Sequence, residues 1–470
     1  MMKNPLVTTI ILFALSLDLQ IEKASAQQSQ LNLSDAIRTG LNNYQNIQAK
    51  RNYVSASAAL VQNAKNQYLP DVTASIQHAY GTVNGQFGAL SSFGGGAGVS
   101  SSGPIYSSQS WNAAFGSIYF VNTNWEFISF GRLQSKIDLA SKQLFLDSAN
   151  LTQEKFVQSV KIAGAYLNLL IAQRFEQNAQ SNVDRASFVQ QTVIARTRSG
   201  LNPGVDSSIA NSDLSSAKLS LIQAINTEQQ ERSQLCQLIN ITPDILVLDT
   251  SYFSNSPGNY NTSFPVANNP QVQFFKSRID QSSSTEKFLQ KSINPGLNLF
   301  GTFQGKGSGF DYNYTPGLDG NYSKNYFDGI SPSRYNYVFG FGIAWNVISP
   351  AKIRQQVKAQ QFVTAAYRNE YDLIATQLKD QLLLSDQQIE NSIKSIREVP
   401  LEFKAASDAY LQKTVLYKNG LSNIVDVQQA LYNLSRAETD VSVAYINVWQ
   451  ALLLKAAASG DFDLFIKQVK

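Results

Sequence analysis

The sequence predicts a membrane protein of mixed α and β structure, built from two tandem repeats that each hold one strand hairpin and one very long helix. Three observations carry this. The stretches Arg198-Ser199-Gly200-Leu201-Asn202-Pro203-Gly204-Val205-Asp206 and Lys418-Asn419-Gly420-Leu421-Ser422-Asn423-Ile424-Val425-Asp426 share a pattern and lie 220 residues apart. Trp125-Glu126-Phe127-Ile128-Ser129 and Trp345-Asn346-Val347-Ile348-Ser349 recur at the same 220-residue offset. Finally, a strand-period segment near the second tryptophan is apolar on one whole face.

The N-terminal segment 1–26 reads as a secretory signal. Lys3 is its positive end, Leu6 to Leu17 its apolar middle, and Ala24-Ser25-Ala26 a small-residue cleavage site. It is too short for a spanning helix, which needs about 20 apolar residues. No later run looks apolar enough to span as a helix, so any crossing is expected to be by strands. Cys236 is the only cysteine, which rules out an intrachain disulfide. It sits in an apolar helical context far from the cleavage site, so the chain is not expected to be a lipoprotein. With 15% charged residues and a formal charge of +4, the mild balance points to no nucleic-acid or polyanion partner.

The first repeat is expected over 27–240. Leu31 to Asn66 has helical periodicity, with Ser34 or Asp35 as its start. A strand hairpin over 68–128 follows. Asp71 to Tyr80 alternates with period two, Gly81 to Ser110 is a Gly/Ser-rich surface loop, and Trp111 to Asn122 alternates again. Gly131 to about Arg198 then reads as one helix of roughly 100 Å at 1.5 Å per residue. The turn at 199–206 predicts a helix–turn–helix corner. Gly after a basic last turn stops a helix, and Asp before a new periodic run is expected to cap the next.

The segment 241–268 reads as a linker wrapped on the helices. The second repeat, over 269–456, repeats the plan with a helix from Gln271, a hairpin over 295–348, a long helix from Ala351 to about Tyr417, a tip turn at 418–426 and a final helix to Ala456. Gly305 to Pro332 is expected as the hairpin tip, and Pro400 is expected to kink or break the long helix. A short amphipathic tail, 457–470, ends the chain. The sharpest strand is the last one. Tyr335, Tyr337, Phe339, Phe341, Ile343, Trp345 and Val347 share one face, against Asn336, Val338, Gly340, Gly342, Ala344 and Asn346. A soluble sandwich also has an apolar inner face. So many aromatics on one face, with long helices between the hairpins, favour a lipid-facing barrel strand.

These features together resemble the TolC-type outer-membrane efflux proteins over essentially the whole mature chain. The resemblance implies a homotrimer whose six hairpins close one twelve-stranded outer-membrane barrel, continued by a periplasmic α-helical barrel. It implies a passive exit duct for efflux or type I secretion, working with a periplasmic adaptor and an inner-membrane transporter of RND or ABC type, in contact with outer-membrane lipid. On that resemblance the corner tips Gly200, Leu201, Gly420 and Leu421 meet the adaptor. Asp426 matches the first aspartate of the family's gate, while the second falls at Gln429. Tyr417 matches a tyrosine that holds the mouth closed. Asp206 is the weaker gate candidate, and the family's turn arginine falls at Ser422. The alternative is an exported helical scaffold or adhesin without a pore.

No enzyme is expected. His78 is the sole histidine and reads as a strand or loop residue, no Cys/His cluster suits zinc, and Gly94-Gly95-Gly96 opens no helix. No cofactor and no metal site are predicted.

Overall fold

The computed structural model describes residues 30–85, 105–242, 246–258, 265–317 and 320–468. The signal segment, the Gly94-Gly95-Gly96 run and most of the first hairpin tip lie outside them. Two units are formed. One comprises the described residues within Met1–Tyr53, Ser148–Lys276 and Asn369–Lys470, the other Val54–Asp147 and Ser277–Arg368.

The second unit is built on a four-stranded antiparallel sheet in the order β1 (Asp71–Thr82), β2 (Ala113–Ile128), β3 (Gly296–Ser308), β4 (Arg334–Ala344). Alternation sends successive side chains to opposite faces, and the register sums this over all four strands. One face aligns Ile76, Tyr119, Gly305 and Tyr335, then Ala74, Val121, Phe303 and Tyr337, then Trp125, Leu299 and Phe341. The other aligns Gln77, Ile118, Lys306 and Arg334, then Thr73, Asn122, Thr302 and Val338, then Glu126, Asn298 and Gly342. The first face is apolar and aromatic; the second is mainly polar, with Thr302 donating to Asn122 Oδ1 at 2.8 Å. β3 runs on to Ser308, so Gly305 is in a strand and not in the tip. The tip itself carries a short helix, Tyr326–Ile330, which folds back onto the apolar face. His78, in β1, lies between the hydroxyls of Tyr326 and Tyr119, each at 2.8 Å.

The helices of both units are numbered together along the chain. We number them α1 (Leu33–Asn43), α2 (Gln45–Asn66), α3 (Arg132–Arg198), α4 (Gly204–Ile239), α5 (Pro270–Lys291), α6 (Tyr326–Ile330), α7 (Ser349–Lys418), α8 (Ile424–Ser459) and α9 (Asp463–Ile466). Within the sheet-bearing unit, α2 touches α3 through Ser57 and Asp147, α3 touches α5 through Lys142 and Asp280, and α5 touches α7 through Ser282 and Thr364.

Two expected boundaries change. The helix from Leu31 is two helices, because Tyr44 is extended (φ −71°, ψ 114°), and its cap is Asn32, whose side chain accepts from the Asp35 N–H. Neither Ser34 nor Asp35 is the cap. Pro400 does not break α7, which runs unbroken from Ser349 to Lys418. One missing donor in a helix of that length leaves the remaining hydrogen-bond ladder intact.

The helical unit has its main core where α1, α3, α4, α7 and α8 converge with the segment after Leu246. Ile162, Tyr166, Leu170, Leu235, Ile239, Tyr252, Trp449 and Phe465 are all buried there. Each large side chain so removed from water contributes about 1.5–3 kcal/mol. Gly40 is required by this packing, since a Cβ there would come within 2.4 Å of Ile162 Cδ1. Tyr166 donates to the Leu31 carbonyl and accepts from the Asp249 N–H, and the Trp449 indole donates to the Tyr252 carbonyl at 3.1 Å. The segment expected as a linker therefore contributes to the core. Burial pushes the Tyr166 phenol up to about 12. Cys236 is buried in the same unit.

α8 also corrects the expectation that no later run is apolar enough to span a bilayer. By length and composition it is, but 61% of its most apolar window is buried in the protein. Its hydropathy serves the core.

Candidate functional site at the paired helical corners

Within the helical unit, α3 turns into α4 at one corner and α7 into α8 at another. Both turns begin on a glycine in the left-handed region, Gly200 at φ 73° and Gly420 at φ 75°. The Gly200 N–H bonds the Thr197 carbonyl at 3.0 Å, and the Leu201 N–H bonds the Arg196 carbonyl at 2.9 Å. At the other corner Gly420 bonds Tyr417 and Leu421 bonds Leu416, again at 3.0 and 2.9 Å. This Schellman closure satisfies carbonyls that the helix end would leave open, and glycine adopts its backbone angle without strain. It also leaves the next side chain outside: Leu201 is 67% exposed and Leu421 74%.

The caps differ from expectation. α4 starts after Pro203, which has no side-chain cap, and α8 is capped by Asn423, whose Oδ1 accepts from the Asp426 N–H at 2.8 Å. Asp206 and Asp426 are each the third residue of their helix. There the positive helix end favours a carboxylate without its being the cap. Each accepts from a polar side chain four positions earlier, Asp206 from Asn202 Nδ2 at 2.7 Å and Asp426 from Ser422 Oγ at 3.0 Å.

Beyond that shared frame the side chains diverge. Asp426 also receives Lys413 Nζ at 2.8 Å. The hydrogen bonds from Lys413 and then Ser422 hold its carboxyl below the usual carboxylate range. Asp206 has instead a link to the other corner. Arg196 donates through Nε to Asn202 Oδ1 at 2.9 Å and through Nη1 to the Lys418 carbonyl at 2.7 Å. Asn202 Nδ2 also donates to the Tyr417 hydroxyl at 3.1 Å, and the Arg196 guanidinium lies 5.6 Å from the Tyr417 ring centre. Tyr417 is buried among Val189, Val193, Ala210, Ile424 and Val427. Desolvation first, and the Asp206 charge second, raise its phenol above the ordinary tyrosine value. Gln429, one turn on from Asp426, is exposed and donates to Asn433.

The structure thus brings Tyr417 and Asp206 together through Asn202, and sets Asp426 in a separate pair with Lys413. Sequence reasoning missed Arg196, Asn202, Lys413 and Asn423. Only the polar residue four before each aspartate, Asn202 and Ser422, repeats at the 220-residue offset. Arg196 has no such twin, since Leu416 stands at that offset.

Tyr335, Tyr337, Phe339 and Phe341 lie exposed along one face of β4. Trp345 lies one residue beyond the strand, which ends at Ala344, and so is not a strand residue. Its indole donates to the Ile293 carbonyl at 3.0 Å, as the Trp125 indole does to the Tyr68 carbonyl at 2.7 Å. Each acceptor stands two residues before a proline, Pro295 and Pro70. Among the described residues no group of three or more His, Cys, Asp or Glu side chains suits a metal ion.

Residues 36–240 match the family model of outer membrane efflux proteins. The fold is that of outer-membrane channels. It is similar to the outer-membrane channel OprN at 15% identity, with a TM-score of 0.72 over 91% of this chain and 90% of that one. VceC of Vibrio cholerae gives 15% identity and 0.71 over 91% and 96%. The CmeC channel of Campylobacter jejuni gives 12% identity and 0.72 over 91% and 85%. No curated protein matches the sequence. The resemblance to outer-membrane efflux proteins is borne out, and that family is one of channels without enzymatic chemistry.

Proposed function

We propose that this protein is a passive exit duct through the outer membrane, serving an efflux or type I secretion system. The observation that carries this reading is the two-faced sheet. Across four strands one face is apolar and aromatic and the other mainly polar, in a channel fold. A sheet with lipid on one side and water on the other needs that division. Four strands are too few to close a barrel, the smallest bacterial ones using about eight, so the sheet calls for further copies. The reading is a homotrimer with a twelve-stranded barrel and a periplasmic helical tunnel, each chain an internal duplication. It is exported by the signal segment 1–26 and delivered to the outer membrane, with a periplasmic adaptor and an inner-membrane transporter as partners.

In this reading the corners form the periplasmic mouth. Leu201 and Leu421 are its exposed adaptor-facing tips. Asp426, Gln429, Tyr417 and Asp206 form the gate region. A ring of three Asp426 carboxylates attracts cations less strongly than six would, and the Lys413 partner weakens it further. The test is single-channel conductance of the purified protein with its mass by light scattering. A trimer giving small, cation-selective openings is expected, and a non-conducting monomer favours the scaffold reading. If Asp426→Ala leaves selectivity and divalent-cation block unchanged, the gate assignment is wrong.

A further inference from the structure

We propose that the groove between the first turns of α3 and the last turns of α5 binds the phosphate headgroup of an anionic lipid, with Lys287 and Lys291 as its cations. The inference rests on the membrane reading of the sheet and goes beyond it by naming a lipid class and the residues that hold it. The groove has a volume of about 540 Å³ and is lined by Gln134, Asp138, Lys142 and Phe145 of α3 and by Lys287 and Lys291 of α5, with intervening small residues. Asp138 is the one carboxylate among these lining residues. Lys142 is already engaged, 3.3 Å from Asp280. Lys287 and Lys291 have neither a hydrogen bond nor an ion pair among the described residues. Two cations one helical turn apart are therefore unpaired along the same wall.

Position selects the ligand. α3 starts four residues after β2 ends, and β3 starts five residues after α5 ends, so the groove adjoins the helix-side end of the sheet. The side on which it opens follows from helix geometry. Arg132, the first residue of α3, pairs with Glu126, which the register puts on the polar face of the sheet. At 3.6 residues per turn, the α3 residues that line the groove lie about 180–300° round the helix from Arg132, with Gln134, Ser141 and Phe145 nearest the opposite side and Ser135 and Lys142 flanking. The greater part of the groove lining therefore turns away from the polar face of the sheet. The last row of the apolar face is Ile128, Leu297 and Ile343, and beside it stands Trp125, whose indole is pinned to the Tyr68 carbonyl. Tryptophan marks the level where hydrocarbon gives way to headgroups. An apolar face, an aromatic edge and then two unpaired lysines follow the layers of a lipid leaflet in order. Lysines at such a level attract anionic lipid.

The experiment uses the full mature protein in nanodiscs of phosphatidylethanolamine with a fixed minor fraction of phosphatidylglycerol. Lipid retained after detergent extraction is counted by native mass spectrometry. Retained phosphatidylglycerol is expected to be enriched over its bulk fraction and to fall about fivefold for each of Lys287→Gln and Lys291→Gln. Lys65→Gln, in the last turn of α2 and outside the groove, is expected to change nothing. Equal retention in wild type and the double variant overturns the site. So does an equal loss in Lys65→Gln, which leaves a general surface attraction. Displacement by millimolar glycerol phosphate alone assigns the groove to a soluble anion and overturns the lipid. Failure to insert into nanodiscs defeats the membrane reading itself, whereas insertion without enrichment defeats only this proposal.

Discussion

The two corners have one backbone and two chemistries. Gly200 and Gly420 differ by 2° in φ, and the hydrogen bonds that close the two turns agree in pattern and length. Yet one corner is capped by Asn423 and pairs its aspartate with a lysine of its own preceding helix. The other starts on an uncapped proline and reaches through Arg196 and Asn202 to its twin. A turn whose geometry depends on a few adjacent residues keeps its form after duplication. Side-chain pairings depend on what packs opposite and drift separately. In this molecule the first corner supplies the contact between corners, and the second holds an ion pair of its own.

The largest effect is expected from the shared backbone. Gly200→Ala and Gly420→Ala each force a side chain into the left-handed region, at roughly 1–2 kcal/mol. No atom lies within 4 Å of a Cβ at position 200, and at 420 only the Arg196 guanidinium does, at 3.7 Å. The losses should therefore be nearly equal, read as faster hydrogen exchange in the corner amides. A loss at one corner only would show that the corners are not equivalent frames.

Arg196→Ala should come next. It removes one charged hydrogen bond to Asn202 and one to the Lys418 carbonyl, and such bonds contribute about 1.5–3 kcal/mol each when well formed. At this partly exposed site water replaces both lost partners, so the expected total is about 1 kcal/mol, below the glycine effect. Exchange should rise at 417–421 as well as at 199–203, and channel conductance should increase. Lys413→Ala should affect only the second corner. If Arg196→Ala leaves residues 417–421 unchanged, the link between the corners is not functional.

The pH response should separate the corners further. The Asp426 carboxyl lies below its ordinary value because Lys413 and Ser422 donate to it. A depressed carboxyl contributes stability that is complete above its unfolded value and is lost as pH falls through its folded one. The second corner should loosen on acidification below the ordinary carboxylate range, and Asp426→Asn should abolish that dependence. The Tyr417 phenol is raised. Its contribution holds up to the ordinary tyrosine value and is lost as pH rises through the higher folded one. Tyr417→Phe should remove that alkaline limb.

The smallest effect is expected at the paired tryptophans. Trp125→Phe and Trp345→Phe each delete one indole-to-carbonyl hydrogen bond, a net of about 0.5–1.5 kcal/mol. Thermal scans should show similar small shifts for both. A much larger shift for one would mean that the twin contacts bear unequal strain.

Much of this was legible in advance where the signal is local. The period-two run at 335–343 is β4, the long periodic runs are α3 and α7, and the glycines that end them are where helix-stop chemistry put them. The misses have a common cause. Asn32 and Asn423 took the caps from Ser34, Asp35 and Asp426 because several adjacent residues can cap, and backbone geometry selects one. Pro400 did not break its helix, whose other bonds run on through it. Trp345 was read by its alternation as a strand residue, but its indole bonds Ile293 beyond the strand end.

The sequence by itself determined the elements and their twofold repetition, because helix stops, strand alternation and turn glycines act over a few residues and need no distant partner. Only the tertiary structure decided which groups meet. Arg196 with Lys418, Asn202 with Tyr417, Trp449 with Tyr252, and the summing of four strands into one apolar and one polar face all join residues far apart in the chain. Such pairings depend on register and packing, which the local pattern of residues does not specify.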